Sequence, residues 1–163
     1  MDSIEIEKWL RLHRIENYTI NEDLSVDVEG DVDLILLDLV RFPFRFRNID
    51  GSFYCNNNKL TSLEGCPERV SGNFDCSSNK LSDLQGGCIE VGGYYSCIGN
   101  KITTLEGCSI MVGGNFDCDR CFLKSLLGCP ESVGGNFYCN NNLLITITTK
   151  ITTYTFRTTY QIS

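Results

Sequence analysis

One spacing dominates this chain. Cys55, Cys76, Cys97, Cys118 and Cys139 follow one another at intervals of 21 residues. Gly51, Gly72, Gly93, Gly114 and Gly135 keep the same interval, as do Leu60, Leu81, Ile102, Leu123 and Leu144. Self-similarity at a fixed period of about 20–50 residues is the signature of a solenoid, whose units bury their apolar faces only against their neighbours. The unit reads F-x-C-x-x-N-x-L-x-x-L, as in Phe53, Cys55, Asn58, Leu60 and Leu63. Phe53, Phe74, Tyr95, Phe116 and Phe137 are expected to point inwards with the cysteine two residues on, because strand side chains alternate between faces. Asn58, Asn79, Asn100 and Asn142 end each strand, where a carboxamide can bond the backbone groups that a turn leaves unpaired. Cys121 stands at this position in the fourth coil. The glycine pairs at 92–93, 113–114 and 134–135 suit sharp corners. A unit this short has little room for a helix after its strand and two turns, so short extended or 3₁₀ segments are expected, such as residues 64–70.

The ends depart from the period. Ile6, Trp9, Leu10 and His13 share one helical face, and Asp2 or Ser3 can cap the helix start, so residues 3–15 are predicted to be a helix covering the open end. His13, the one histidine, is read as structural. Residues 25–34 alternate strictly, with Val26, Val28, Val32 and Leu34 against Asp27, Glu29, Asp31 and Asp33. This predicts one strand with a solvated carboxylate row that discourages edge pairing. Ca²⁺ is rejected there because a straight strand cannot gather its carboxylates around one ion. The 21-residue frame runs back through this segment: Gly30 precedes Gly51, and Val32, Leu34, Leu39, Phe42 and Ile49 take core positions, making residues 30–50 a degenerate capping coil. Phe42, Phe44 and Phe46 are read as its bulky core, with Arg41, Arg45 and Arg47 answering nearby carboxylates. After Asn142 the chain becomes rich in Thr and Ile. Strong β-propensity there allows either a folded-back cap or a homodimer through paired tails.

Ten cysteines in a short chain would suggest disulfides, but these follow the repeat. Stacked side chains keep the strand spacing of about 4.8 Å, wider than the roughly 3.5–4.5 Å between Cβ atoms of a disulfide. The thiols are read as small buried hydrophobes. Cys118-x-x-Cys121 arises from two repeat columns and is not read as a zinc motif, which would want two more ligands that only the cysteine columns could offer. Of the net charge of −7, residues 1–50 contribute −6, from twelve carboxylates against six basic residues. The near-neutral repeats lack the clustered Lys and Arg that direct nucleic-acid binding requires. No Ser-His-Asp set or phosphate loop with a lysine occurs, so neither enzyme activity nor a cofactor is expected. No apolar run approaches the ~18–20 residues of a membrane span, and the acidic amphipathic start lacks the order of a secretory signal, which favours the cytoplasm.

The outward strand positions remain as the surface that can act. One column is Tyr54, Asp75, Ser96, Asp117 and Tyr138; Tyr94 and Asp119 lie in the flanking columns, and Lys59, Lys80 and Lys101 run beside them. These seven column residues are the candidate partner-binding site. Five strands at about 4.8 Å span roughly 20 Å, enough for a loop, a strand or a helix end. Tyrosine there buries a large area at low entropy cost.

The unit resembles the leucine-rich repeat, with Phe and Cys at two of the usual leucine positions. Its segments L-x-S-L-E-G-C-P-x-x-V-G-G-N-F-x-C, and the lead-in N-Y-T-I-N-E-D-L-S-V-D-V-E-G-D-V-D-L, are similar to short leucine-rich proteins of bacteriophages and prophages. The likeness covers about residues 17–142 and departs at 36–41, at Cys121 and in the tail. It implies a right-handed coil with parallel strands on a concave face. The expected divisions are a cap over 1–29, repeats over 30–142 and a cap or dimerisation strand over 143–163. By analogy it implies a non-enzymatic module that binds and inhibits a host protein, such as a defence factor. The alternative is a sequestering protein or nucleic-acid mimic, using the acidic N-terminal strand or a ligand pocket between coils.

Overall fold

A computed structural model of the chain describes residues 1–144. The expected tail cap or dimerisation strand lies, beyond Leu144, outside the described residues. Within them the helix α1 (Ser3–Leu12) precedes thirteen short strands. A seven-stranded sheet contains β1 (Tyr18–Ile20), β2 (Val26–Glu29), β4 (Phe46–Asp50), β6 (Arg69–Val70), β8 (Glu90–Val91), β10 (Met111–Val112) and β12 (Ser132–Val133), in that order. A six-stranded sheet contains β3 (Val32–Asp33), β5 (Phe53–Tyr54), β7 (Phe74–Asp75), β9 (Tyr95–Ser96), β11 (Phe116–Asp117) and β13 (Phe137–Tyr138). All pairings are parallel except β1 with β2. The protein is thus a mainly β parallel solenoid with an N-terminal helical cap. The extended alternative expected for residues 64–70 is realised as β6, so each coil contributes one short strand to each sheet.

Register carries the sequence period directly into space. Phe53 lies beside Phe74, and Val70 beside Val91, each one period on. The rings of Phe53, Phe74, Tyr95, Phe116 and Phe137 form a continuous column, with successive centroids 6.1, 4.9, 5.2 and 4.9 Å apart. Val70, Val91, Val112 and Val133 close the core from the other sheet, and the leucine columns fill it between. Eight of the ten cysteines are buried, and all are free thiols. At the corners the coils come into backbone contact: a Cβ on Gly113 would lie 2.1 Å from the Gly92 carbonyl oxygen. That separation admits no side chain.

The asparagines form the expected ladder. Asn79 donates from Nδ2 to the carbonyls of Cys55 and Cys76 at 3.0 and 3.1 Å, and its Oδ1 accepts the Leu60 N–H at 2.9 Å. Asn58, Asn100 and Asn142 repeat this pattern. In the fourth coil Cys121 donates only to the Cys97 carbonyl, at 3.3 Å, and offers no carboxamide oxygen to Ile102.

The N-terminal cap follows from aromatic packing and paired charge. Asp2 and Glu5 form a capping box, and Ile6 and Leu10 of α1 are buried. Trp9 meets Phe44 edge-on at 5.2 Å and stacks on His13 at 3.8 Å. His13 Nδ1 donates to the Trp9 carbonyl, fixing the ring in a structural role. Phe42 and Phe46 are buried and continue the aromatic column onto Phe53. Arg45 pairs with Glu68 and Asp23, and Arg47 with Asp27.

The single strand expected over residues 25–34 is corrected. Gly30, at φ +129°, turns the chain, so β2 joins one sheet and β3 the other. The apolar alternation survives because Val28 and Val32 face the same core from opposite sheets. The carboxylates consequently form no common row. Asp27 accepts from Arg47, from Asn21 and from both the backbone and side chain of Asn48. Chiefly through Arg47, this holds its carboxyl down to about 2. Asp31 accepts the Ser52 N–H at 2.7 Å, and Asp33 the Ile35 N–H at 3.0 Å.

The ladder can be tested in both directions. Asn79→Ala removes these bonds and strands buried carbonyls, so it is expected to lower stability by roughly 2–4 kcal/mol. Cys121→Asn completes the ladder and is expected to raise stability by about 1 kcal/mol. Urea unfolding midpoints of the two variants check both signs, and a destabilised Cys121→Asn would contradict the role given to the carboxamide.

Candidate functional site

Between the tyrosines of the outer column, residue size dips. Strand register sets Tyr54, Asp75, Ser96, Asp117 and Tyr138 side by side across β5, β7, β9, β11 and β13. Ser96 is the smallest of the five. With Tyr94 beside it and Tyr138 two strands away, this leaves a cleft of about 240 Å³. Asp75, Tyr94, Ser96, Asp117 and Tyr138 line it, together with Tyr95, Ile98 and Asn115. Five of the seven sequence-predicted residues therefore converge.

The other two do not join them. Tyr54 lies beyond Asp75, at the end of the column, where its hydroxyl meets Asn73 Nδ2 at 3.5 Å. Asp119 is engaged between coils: its two oxygens accept the backbone N–H and side-chain N–H of Asn140. Ile98 and Asn115 were not among the seven, because their contribution depends on side-chain size around Ser96, which periodicity does not reveal. The lysine column also changes character. Lys59 pairs with Asp38 at 2.8 Å, and after Lys101 the column continues as exposed Phe122 and Leu143.

Charge in the cleft is uncompensated. Asp75 Oδ1 accepts the Ser77 N–H at 2.9 Å, and Asp117 Oδ1 accepts the Asp119 N–H at 3.0 Å. Among the described residues, no Lys or Arg forms an ion pair with either carboxylate. Burial, with Asp119 and Asp75 nearby, pushes the Asp117 carboxyl up to about 6. Burial likewise raises the Tyr94 hydroxyl. The Ser96 side chain is almost covered, at 6% exposure, and among the described residues its hydroxyl makes no hydrogen bond. Tyr138 is steadied by Asn136, whose Nδ2 donates to the phenol oxygen at 3.1 Å. The cleft thus offers acceptors and aromatic surface, and suits a ligand that brings donors.

Elsewhere, burial pushes the thiols of Cys55, Cys76 and Cys118 well up, which suits packing rather than nucleophilic chemistry. Among the described residues no three His, Cys, Asp or Glu side chains come together as a metal site. No helix among them is long and apolar enough to cross a membrane.

Fold and site together define a two-sheet parallel β-solenoid with an acidic, tyrosine-flanked cleft on its outer face. Comparison with protein-family models, with curated proteins and with solved structures gives no match to this chain.

The raised Asp117 carboxyl has a stability signature. Because its folded value lies above the ordinary 3.8, the folded state holds the proton more tightly, and stability falls as pH rises through about 4 to 6. Asp117→Asn keeps an oxygen for the Asp119 N–H and removes the charge. It is expected to unfold at a higher temperature than the parent at pH 7, with the gap closing as pH falls to about 4. Melting curves across this range check the sign, and a gap that widens on acidification would refute it.

Proposed function

We propose that this protein is a non-enzymatic binding module that grips a protein partner with the outer face of its six-stranded sheet. One observation carries the reading: a half-buried cleft holds two carboxylates that form no ion pair among the described residues, between two tyrosines. Unpaired charge taken partly out of water is costly, and a stack built for stability alone has no need of it. Tyrosine is enriched at binding hot spots. The resemblance to short leucine-rich proteins of phages adds the expected role of an inhibitor, with a host protein, such as a defence factor, as target in the host cytoplasm. We prefer this to nucleic-acid mimicry by residues 27–33. There the chain turns at Gly30, and Asp27 is already neutralised by Arg47.

The test is affinity purification with the full chain from the host, followed by binding measurements on the partner identified. Tyr94→Ala combined with Tyr138→Ala is expected to weaken that complex at least tenfold while the circular dichroism spectrum is retained. Unchanged affinity in the folded double variant would overturn the assignment of this face.

A further inference from the structure

We propose that the cleft is an arginine socket: it receives one arginine side chain of the protein partner, with the guanidinium lying over Ser96 between Asp75 and Asp117 and flanked by Tyr94 and Tyr138. The proposal rests on the reading of this face as protein-binding and specifies its chemistry. Three acceptors lie in register on three adjacent strands, Asp75 on β7, Ser96 on β9 and Asp117 on β11. At the usual strand spacing the two aspartate columns stand roughly 10 Å apart. A single ammonium nitrogen, bonding acceptors at about 2.9 Å, bridges only about 6 Å. A guanidinium is a wider planar fork with five N–H donors, so it spans more of this gap and can bond one carboxylate and the hydroxyl while its charge faces the other carboxylate.

The surroundings select in the same direction. Each aspartate engages one oxygen with the N–H two residues ahead, leaving its other oxygen for a donor from outside. Ser96 is almost wholly covered as a residue, and its hydroxyl, without a hydrogen bond of its own among the described residues, is open to the cleft it lines. No resident Lys or Arg competes, since no ion pair reaches Asp75 or Asp117 among the described residues. Tyrosine faces beside a bound guanidinium add cation–π attraction, which strengthens as water is excluded. The other titratable groups near Asp117 are Asp75, Tyr94, Asp119 and Tyr138 on the face and Cys118, Cys121 and Cys139 behind it. Burial raises the Asp117 carboxyl to about 6, so acidification removes one of the two charges and weakens the site.

The experiment titrates the isotope-labelled full chain with acetyl-Gly-Arg-Gly-amide, followed by nuclear magnetic resonance. The matched lysine and citrulline peptides are compared at pH 7, and the arginine peptide is repeated at pH 5. Saturating shifts at Ser96, Asp117 and the Tyr94 ring are expected with arginine. Lysine is expected to bind several-fold more weakly, citrulline to cause no shift, and the arginine complex to weaken at pH 5. Asp117→Asn and Ser96→Ala are each expected to weaken the arginine complex at least threefold, with the remaining amide spectrum preserved as the fold control. Absence of saturating shifts with the arginine peptide, or equal shifts with citrulline, would overturn the socket. The broader reading is judged separately. A partner complex that depends on Tyr94 and Tyr138 while the arginine peptide does not bind leaves the protein-binding face standing and removes only the socket. A partner indifferent to both tyrosines removes the face itself.

Discussion

A carboxamide after four of the five aromatic-x-Cys strands fixes the register of the stack. The asparagine reaches the carbonyl of its own coil, a carbonyl of the preceding coil and an N–H of the preceding coil at once. Sliding one coil past the next by a residue would leave all three groups unpaired in the core, at a cost of roughly 1–3 kcal/mol each. Backbone pairing alone would specify this poorly, because the strands of the repeats are two residues long. The ladder therefore supplies the positional information that longer strands would otherwise carry. Where it is interrupted at Cys121, the neighbouring coils on both sides still hold the register.

Fixed register has a consequence for the surface. The inward columns hardly vary, since ring must stack on ring and corner glycine must pass corner glycine. The outward columns carry no such constraint. Each coil presents one residue per column, so the surface is assembled one position at a time. Tyr, Asp, Ser, Asp and Tyr in successive coils create a dip with charged sides, although no single coil contains a motif.

Much of this architecture was legible in the sequence because identity of position becomes identity of environment. The inward rings, the leucine columns, the asparagine ladder and the degenerate first coil with Phe42 at its core all follow from counting in steps of one period. The turn at Gly30 was not legible, because Val26, Val28, Val32 and Leu34 keep the parity of a single strand while wrapping a corner. The second sheet could be anticipated only as one of two options, since a strand as short as β6 leaves no alternation to read. The site was legible as a set of columns but not as a cleft. Which aspartates are committed elsewhere depends on partners one period away: Asp119 turns to Asn140 and Asp27 to Arg47, while Asp75 and Asp117 form no ion pair among the described residues.

That last contrast separates structure from function in this molecule. Asp27 and Asp117 are both partly covered aspartates, yet their carboxyls shift in opposite directions, to about 2 and about 6. Asp27 has a guanidinium and two amides around it, so its charge helps hold the cap together. Asp117 has burial and two more carboxylates, so its charge works against the folded state. Removing that cost would take one substitution to asparagine, the residue that already occupies so many positions around it. An avoidable electrostatic cost at a position that faces a cleft is what a binding role would account for, which is why the contrast between Asp27 and Asp117 supports the proposed reading of this face.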